Sequence, residues 1–347
     1  MKAKKVLVII CALALILPVI LYGGNSSKRG TAGAVELLMP VGARGIAMSG
    51  AVLSDATGVD ALYWNPAGLA IGVGTTGVQA MFSHTNYIAD IKIEYLAIGL
   101  GIGEIGSLGF SLKSIGFGDI LQTSEDFPDG TGATFSPNYL TLGLTYSKEL
   151  TDRISIGFTG KLISESIVRT SALGFAFDAG VIYTVGSNSI LKGLKFGITL
   201  KNIGPEMQFD GGDLERTIIP PDSDPKAEAV PLKFTSQSFE LPATFDMGIS
   251  YDLVAGENKL TLACGFQNSN FGDDIFRLGA EYSFDNIIFL RAGYAPPDGS
   301  LDNQLQRATF GGGVRIPFGN TNIAIDYAYS QVQIFDPYHT ISLHLGF

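Results

Sequence analysis

From about residue 76 to the C-terminus, apolar and polar residues alternate with a period of two. The segments run to roughly ten residues and are separated by turn residues, the pattern of strands with two unlike faces. In "RISIGFTGKL" the apolar row is Ile154, Ile156, Phe158 and Leu162, set against Ser155, Gly157, Thr159 and Lys161. "GLKFGITLKN" sets Leu194, Phe196, Ile198 and Leu200 against Lys195, Gly197, Thr199 and Lys201. "FRLGAEYSF" sets Phe276, Leu278, Ala280, Tyr282 and Phe284 against Arg277, Gly279, Glu281 and Ser283. Such segments begin near residues 76, 91, 105, 138, 154, 172, 191, 241, 258, 274, 287, 306, 321 and 339. They predict an all-β fold, a transmembrane antiparallel β-barrel of roughly fourteen strands spanning 76–347. The second strand is ambiguous, because Leu96, Ile98 and Leu100 share a row with Lys92 and Glu94; a kink or inward-facing apolar residues are expected there.

The connections test this reading, since outer-membrane barrels have short periplasmic turns and longer outside loops. With the first strand running outward, short links fall at Gly101 to Glu104, Glu149 to Asp152, Gly186 to Ile190, Ala255 to Asn258, Asp285-Asn286 and Gly319-Asn320. Both long insertions, 118–137 and 204–240, then land outside. The final strand "YHTISLHLGF" stops on Phe347, and a terminal aromatic residue on an amphipathic last strand looks like an outer-membrane insertion signal.

The N-terminus adds export. Met1-Lys2-Ala3-Lys4-Lys5 precedes an unbroken apolar run from Val6 to Tyr22, the layout of a secretory signal, here taken as 1–24. The alternative is an uncleaved anchor; Pro18 and Gly23-Gly24 favour cleavage. No later apolar run is long enough for a spanning helix. An exported chain with mean hydropathy +0.26 and 16% charged residues has the closed barrel as its membrane solution. Without the signal the formal charge moves from -10 to about -13, which argues against nucleic-acid partners. Cys264 is then the remaining cysteine, so neither an intramolecular disulfide nor a cysteine-based metal site is expected.

Residues 31–72 do not alternate. Gly42, Ala43, Gly45, Ala47, Ser49, Gly50 and Ala51 are small and suit a slender helix threaded inside a barrel, within a hatch of 25–75. Asn65-Pro66 can stop one helix and start another, Asn as N-cap and Pro at the first helical position. The alternative is a turn in a periplasmic tail. "GTAGAVELLMPVGARGIAMSGAVLSDATGVDALYWNPAGLA" closely resembles the N-terminal signature of the PorV/PorQ outer-membrane proteins. "NPAGL" is more distantly similar to the NPA motif of the FadL long-chain fatty-acid transporters. Gly42, Ala43 and Arg44 match the GAR step, and Trp64, Asn65, Pro66, Ala67, Gly68 and Leu69 the WNPAGL step. Met48-Ser49-Gly50 departs from the family's usual Met-Gly-Gly. The resemblance implies a fourteen-stranded barrel and, by analogy with FadL, an N-terminal hatch plugging the lumen.

Little else carries chemistry. His84, His339 and His344 are scattered, with no metal-ligand spacing, and no G-x-S-x-G segment appears, so neither a metal, a cofactor nor an enzyme is expected. Parity puts Lys113, Lys161, Asp178, Lys195, Asp246, Arg277, Glu281, Arg291, Arg315 and Asp326 on the lumen row. These charges can pair with one another and anchor a plug, or simply fill a plugged lumen. Arg44 is expected to meet Glu281, Asp246 or Asp326, with Trp64 wedged near the periplasmic mouth. The acidic, Pro-rich 204–240 loop reads as a solvated loop or a protein-docking surface.

The resemblance implies a non-enzymatic barrel in the outer membrane of a Gram-negative bacterium, embedded in outer-membrane lipid and acting in type IX protein secretion. It would serve as a cargo shuttle or as a partner of the translocon or attachment complex, with cargo C-terminal domains among its contacts. The alternative is a FadL-like channel for hydrophobic small molecules.

Overall fold

The computed structural model describes residue 28 and residues 30–186, 189–219, 228–296, 306–319, 321–332 and 335–347; the expected signal 1–24 lies outside them. Fourteen long strands form one antiparallel sheet in chain order: β1 Val78–Asn86, β2 Lys92–Gly101, β3 Ser107–Gly116, β4 Asn138–Glu149, β5 Ile154–Ile167, β6 Thr170–Thr184 and β7 Leu194–Ile203, then β8 Thr244–Ala255, β9 Asn258–Ser269, β10 Ile275–Phe284, β11 Ile288–Tyr294, β12 Gln306–Phe318, β13 Thr321–Val332 and β14 Tyr338–Gly346. β14 pairs with β1, Phe82 opposite Leu343, which closes the sheet into a barrel without a free edge.

The period-two pattern becomes two physically different surfaces. Leu173, Phe175, Phe177 and Val181 of β6 point outward and are exposed, while Ala172, Ala176, Asp178 and Ile182 between them are buried inside. Leu144, Phe158, Leu290, Phe310, Ile325 and Ile341 continue the exposed apolar row around the wall. In water so large an apolar patch would be a liability; in a bilayer it is the lipid-facing band. No described helix is long and apolar enough to cross a membrane.

β2 resolves its ambiguity without a kink. Ile93, Tyr95 and Ala97 are the inward, buried apolar residues, and its register with β1 and β3 is unbroken. Glu94, on the outward row, is held by His84 of β1 at 2.6 Å.

The links 102–106, 150–153, 256–257 and 285–287 lie at one end of the barrel, called here the turn end. The long insertions gather at the other, the loop end. Each insertion carries a small hairpin, Ile120–Leu121 with Thr134–Phe135 and Glu215–Ile218 with Val230–Lys233. The second also adds Asp210–Gly211 to the edge of β6 and forms a bridge between Met207 and Phe239.

Candidate functional site

Ahead of β1 the chain runs down the inside of the barrel. Lys28 meets Glu240 at the loop end, and the helices α1 Ala43–Ala47, α2 Ala61–Trp64 and α3 Gly68–Val73 follow, the last reaching the turn end. The expected slender helix is thus only five residues long. Ser49 and Gly50 take positive φ, 52° and 79°, and turn the chain instead of continuing it, because small residues let the backbone fold back tightly against a wall.

The wall makes room with glycine. Gly99 of β2 faces Leu69 and Val73, Gly157 of β5 faces Pro66 and Ala67, and Gly180 of β6 faces Asn65. Gly197 of β7 and Gly248 of β8 face Leu53 and Ser54, and Gly293 of β11 faces Met48 and Ser49. A Cβ at Gly157 or Gly293 would occupy the space of the segment's own backbone. These inward glycines let backbone lie on backbone, which leaves the segment's polar groups within reach of wall side chains.

Those groups are met one by one. Ala43 N–H donates to Ser342 Oγ at 2.8 Å, and Ser49 N–H to Thr309 Oγ1 at 3.1 Å. Asn65, fully buried, donates through Nδ2 to the Leu53 carbonyl at 3.0 Å and accepts the Ala67 N–H on Oδ1 at 3.2 Å. Asn65 thus ends α2 and closes a turn ahead of α3, which starts at Gly68 with Ala67 as its N-cap and no side-chain cap, so the expected placing of Asn65 as N-cap and Pro66 as first helical residue is not what forms.

A buried ion network crosses the lumen. Arg44 donates from Nε to Glu281 Oε2 at 2.9 Å and from Nη2 to Asp55 Oδ2 at 2.5 Å. Lys195 pairs with Asp55 and, at 2.9 Å, with Asp252. Arg291 donates to Glu281 at 2.6 Å and to Asp326, and His344 lies 3.3 Å from Asp326. Burial alone would push the Asp55 carboxyl up, but Arg44 and Lys195 hold it below the usual carboxylate range. Of the three acids anticipated for Arg44, Glu281 is the partner; Asp326 serves Arg291 and Asp246 serves Lys201 at 3.7 Å.

The other lumen residues divide. Lys161 and Asp178 pair at 2.6 Å beside a bulge between β6 and β7, where Asn202 N–H donates to Asp178. Arg277 donates to Gln267 at 2.7 Å. Lys113 is buried and donates to the Glu36 and Met39 carbonyls at 2.6 and 2.5 Å. Arg315 shares the inward row yet remains exposed near the turn end, its guanidinium 5.2 Å above Phe289.

Trp64 is not at the turn-end mouth. It lines a cavity of about 20 Å³ with Lys201, Asp246, Gln267 and Arg277, all near the loop ends of their strands. That space suits a water and is far below the size of a ligand pocket. Helix α2 ends there, just ahead of Pro66, and Lys201 lies over both Tyr63 and Trp64 at 4.8 and 5.6 Å.

Residues 33–39 form a separate strap at the loop end. Ala34 and Leu37 pack with Ile163, Ala172, Ala176, Met207 and Leu241. Gly33 N–H donates to the Glu240 carbonyl at 3.2 Å, and Tyr63 OH donates to the Leu38 carbonyl at 3.2 Å. Sequence reasoning missed Glu36, Asp55, Glu165 and Lys201. Lys201 was visible on the polar row of "GLKFGITLKN"; the others became neighbours only through the path of the segment. Among the described residues no cluster of three His, Cys, Asp or Glu could hold a metal.

A closed barrel of fourteen strands with an apolar outer row and an N-terminal segment inside it defines a transmembrane β-barrel of the outer-membrane type. The toluene transporter TodX of Pseudomonas putida is similar in structure, with a TM-score of 0.56 at 14% identity over 88% of this chain and 96% of that one. A FadL homologue of Pseudomonas aeruginosa has a TM-score of 0.54 at 11% identity over 89% and 98%. No curated protein sequence matches this chain. The chain belongs to the PorV family: the family model described as "Type IX secretion system protein PorV" matches residues 24–222. It is a barrel of the Gram-negative outer membrane, and its family and fold are of outer-membrane types that are generally non-enzymatic.

Proposed function

We propose that this barrel works in type IX secretion as a closed scaffold: residues 25–75 act as a hatch, and the loop end receives secretion partners or cargo C-terminal domains. The observation that carries this reading is the Arg44–Glu281–Arg291–Asp326 network, which ties the N-terminal segment to the wall with buried charge. A conduit for hydrophobic molecules calls for an open apolar lining, whereas here paired charges stand among the inward apolar residues and the cavity beside Trp64 is water-sized. The loop end, by contrast, offers apolar side chains to solvent: Ile120, Leu121 and Phe127 on one insertion, Val230, Leu232 and Phe234 on the other. Exposed apolar groups on hairpins suit capture of a protein surface.

The test replaces residues 214–234 by a short Gly-Ser link. Met207, Leu241 and the Asp210–Gly211 ladder stay, because they pack on the barrel and its strap. The shortened protein is expected to insert and show heat-modifiable migration while losing co-purification with translocon or attachment components. Undiminished partner recovery, together with uptake of hydrophobic solutes in liposomes, would favour the channel reading.

A further inference from the structure

Glu36, on the strap, is 1% exposed and Glu165, on β5, is 3% exposed. Their carboxyls lie against one another, and neither Glu36 oxygen has a well-formed hydrogen bond. The nearest cation, Lys113 of β3, spends its Nζ on the carbonyls of Glu36 and Met39. Two carboxylates in contact and cut off from water do not both ionise; they share a proton. One shared proton leaves a single negative charge beside Lys113, and losing it adds a second buried negative charge with no cation of its own.

The surroundings offer no substitute cation. Tyr139 approaches from β4, and the Tyr63 ring lies 5.1 Å from Lys113 Nζ. Lys161 and Lys201 lie beyond Lys113, engaged by Asp178 and Asp246. At the loop side, Lys28 and Glu240 pair with each other in solvent.

We propose that Glu36 and Glu165 form a proton-sharing latch that fastens residues 33–39 across the loop end of the lumen, closed while the pair keeps one proton and open when both carboxyls are charged. The latch goes beyond the secretion role and does not depend on it. Opening would uncover the Phe239 ring, on which Gly33 lies, and the Met207–Leu241 surface beneath Ala34 and Leu37. Burial raises the Glu36 carboxyl above its ordinary value in the docked strap. A raised carboxyl stabilises docking below its ordinary range, and that stabilisation is lost as pH rises through the docked titration.

Hydrogen exchange on the full chain in detergent micelles tests this, with rates corrected for the chemical pH dependence of exchange. Between pH 6 and pH 9, protection of the Gly33, Leu37 and Met39 amides is expected to fall by up to about tenfold for each pH unit until the docked pair titrates and to level off above that point, while the Ile46 amide in α1 is unchanged. Glu165→Gln, which leaves Glu36 to ionise beside Lys113 and an amide donor, should flatten the response. Should Glu165→Gln lose heat-modifiable migration, Glu36→Gln serves the same purpose. Flat protection in the unaltered chain, or a full response in either variant, would overturn the latch.

Discussion

The two halves of the inner segment are held by opposite means. Residues 41–74 rest on a glycine-cleared wall and are tied by Arg44 to Glu281 of β10 and by Asp55 to Lys195 of β7, with Arg291 of β11 also on Glu281. Residues 33–39 rest on Met207 and Leu241 of a long loop, with two acids facing each other. A clamp built from complementary charge resists displacement, because removing either partner strands the other in a low dielectric. A strap held by apolar contact and a shared proton is the half that can let go. Local stability differs along one chain according to what each part buries.

The sharpest way to break the comparison is Glu281→Ala, which leaves Arg44 and Arg291 short of a buried partner. It is expected to cost about 3–5 kcal/mol, read as a lower unfolding temperature in detergent, and to raise ion conductance in planar bilayers while strap exchange barely changes. A conductance like that of the unaltered protein would mean the clamp is not what closes the lumen.

Next comes Gly157→Ala, whose Cβ meets the Pro66–Ala67 backbone. Overpacking of this kind costs about 1–3 kcal/mol, and proteolysis from the turn-end side should now cut near Pro66. An unshifted unfolding temperature would show that the wall yields instead.

Acid sharpens the contrast with smaller effect. Asp55 is held low, so the clamp's share of stability is present above the ordinary carboxylate pKa and declines as pH falls through the lowered value. Glu36 is held high, so the strap gains in the same direction. Exchange at pH 3 should therefore show looser α1 amides with tighter Leu37 and Met39 amides; parallel loosening of both would erase the distinction.

Smallest of all is Lys28→Ala, which removes an ion pair at 3.5 Å between half-exposed side chains. A loss within about 1 kcal/mol is expected, checked by the same thermal unfolding; a larger loss would make the strap a salt-bridged element after all.

Much of this architecture was legible in the residue pattern. The expected starts at 154, 258, 306 and 321 coincide with β5, β9, β12 and β13, and the parity of the loops placed both long insertions at one end. Helix α1 was anticipated as longer because small residues permit a helix without specifying where it stops; Ser49 and Gly50 stop it. Trp64 was expected at the wrong end, since its depth depends on Lys201 and Arg277, which are far away in sequence. Gly157, Gly197 and Gly279 stood in view on the polar rows, but a missing side chain says nothing until a second backbone lies against it.

The sequence by itself determined the barrel and its two-sided wall, because period-two alternation and turn chemistry act between near neighbours and need no knowledge of the rest of the chain. Only the tertiary structure decided that Arg44 answers Glu281, that Asp55 joins Lys195, and that Glu36 meets Glu165. Those pairings depend on the path of one segment through the lumen. That path is settled by close approach of backbones and by the need of every buried charge for a partner, conditions that residues separated by as many as 237 positions must satisfy together.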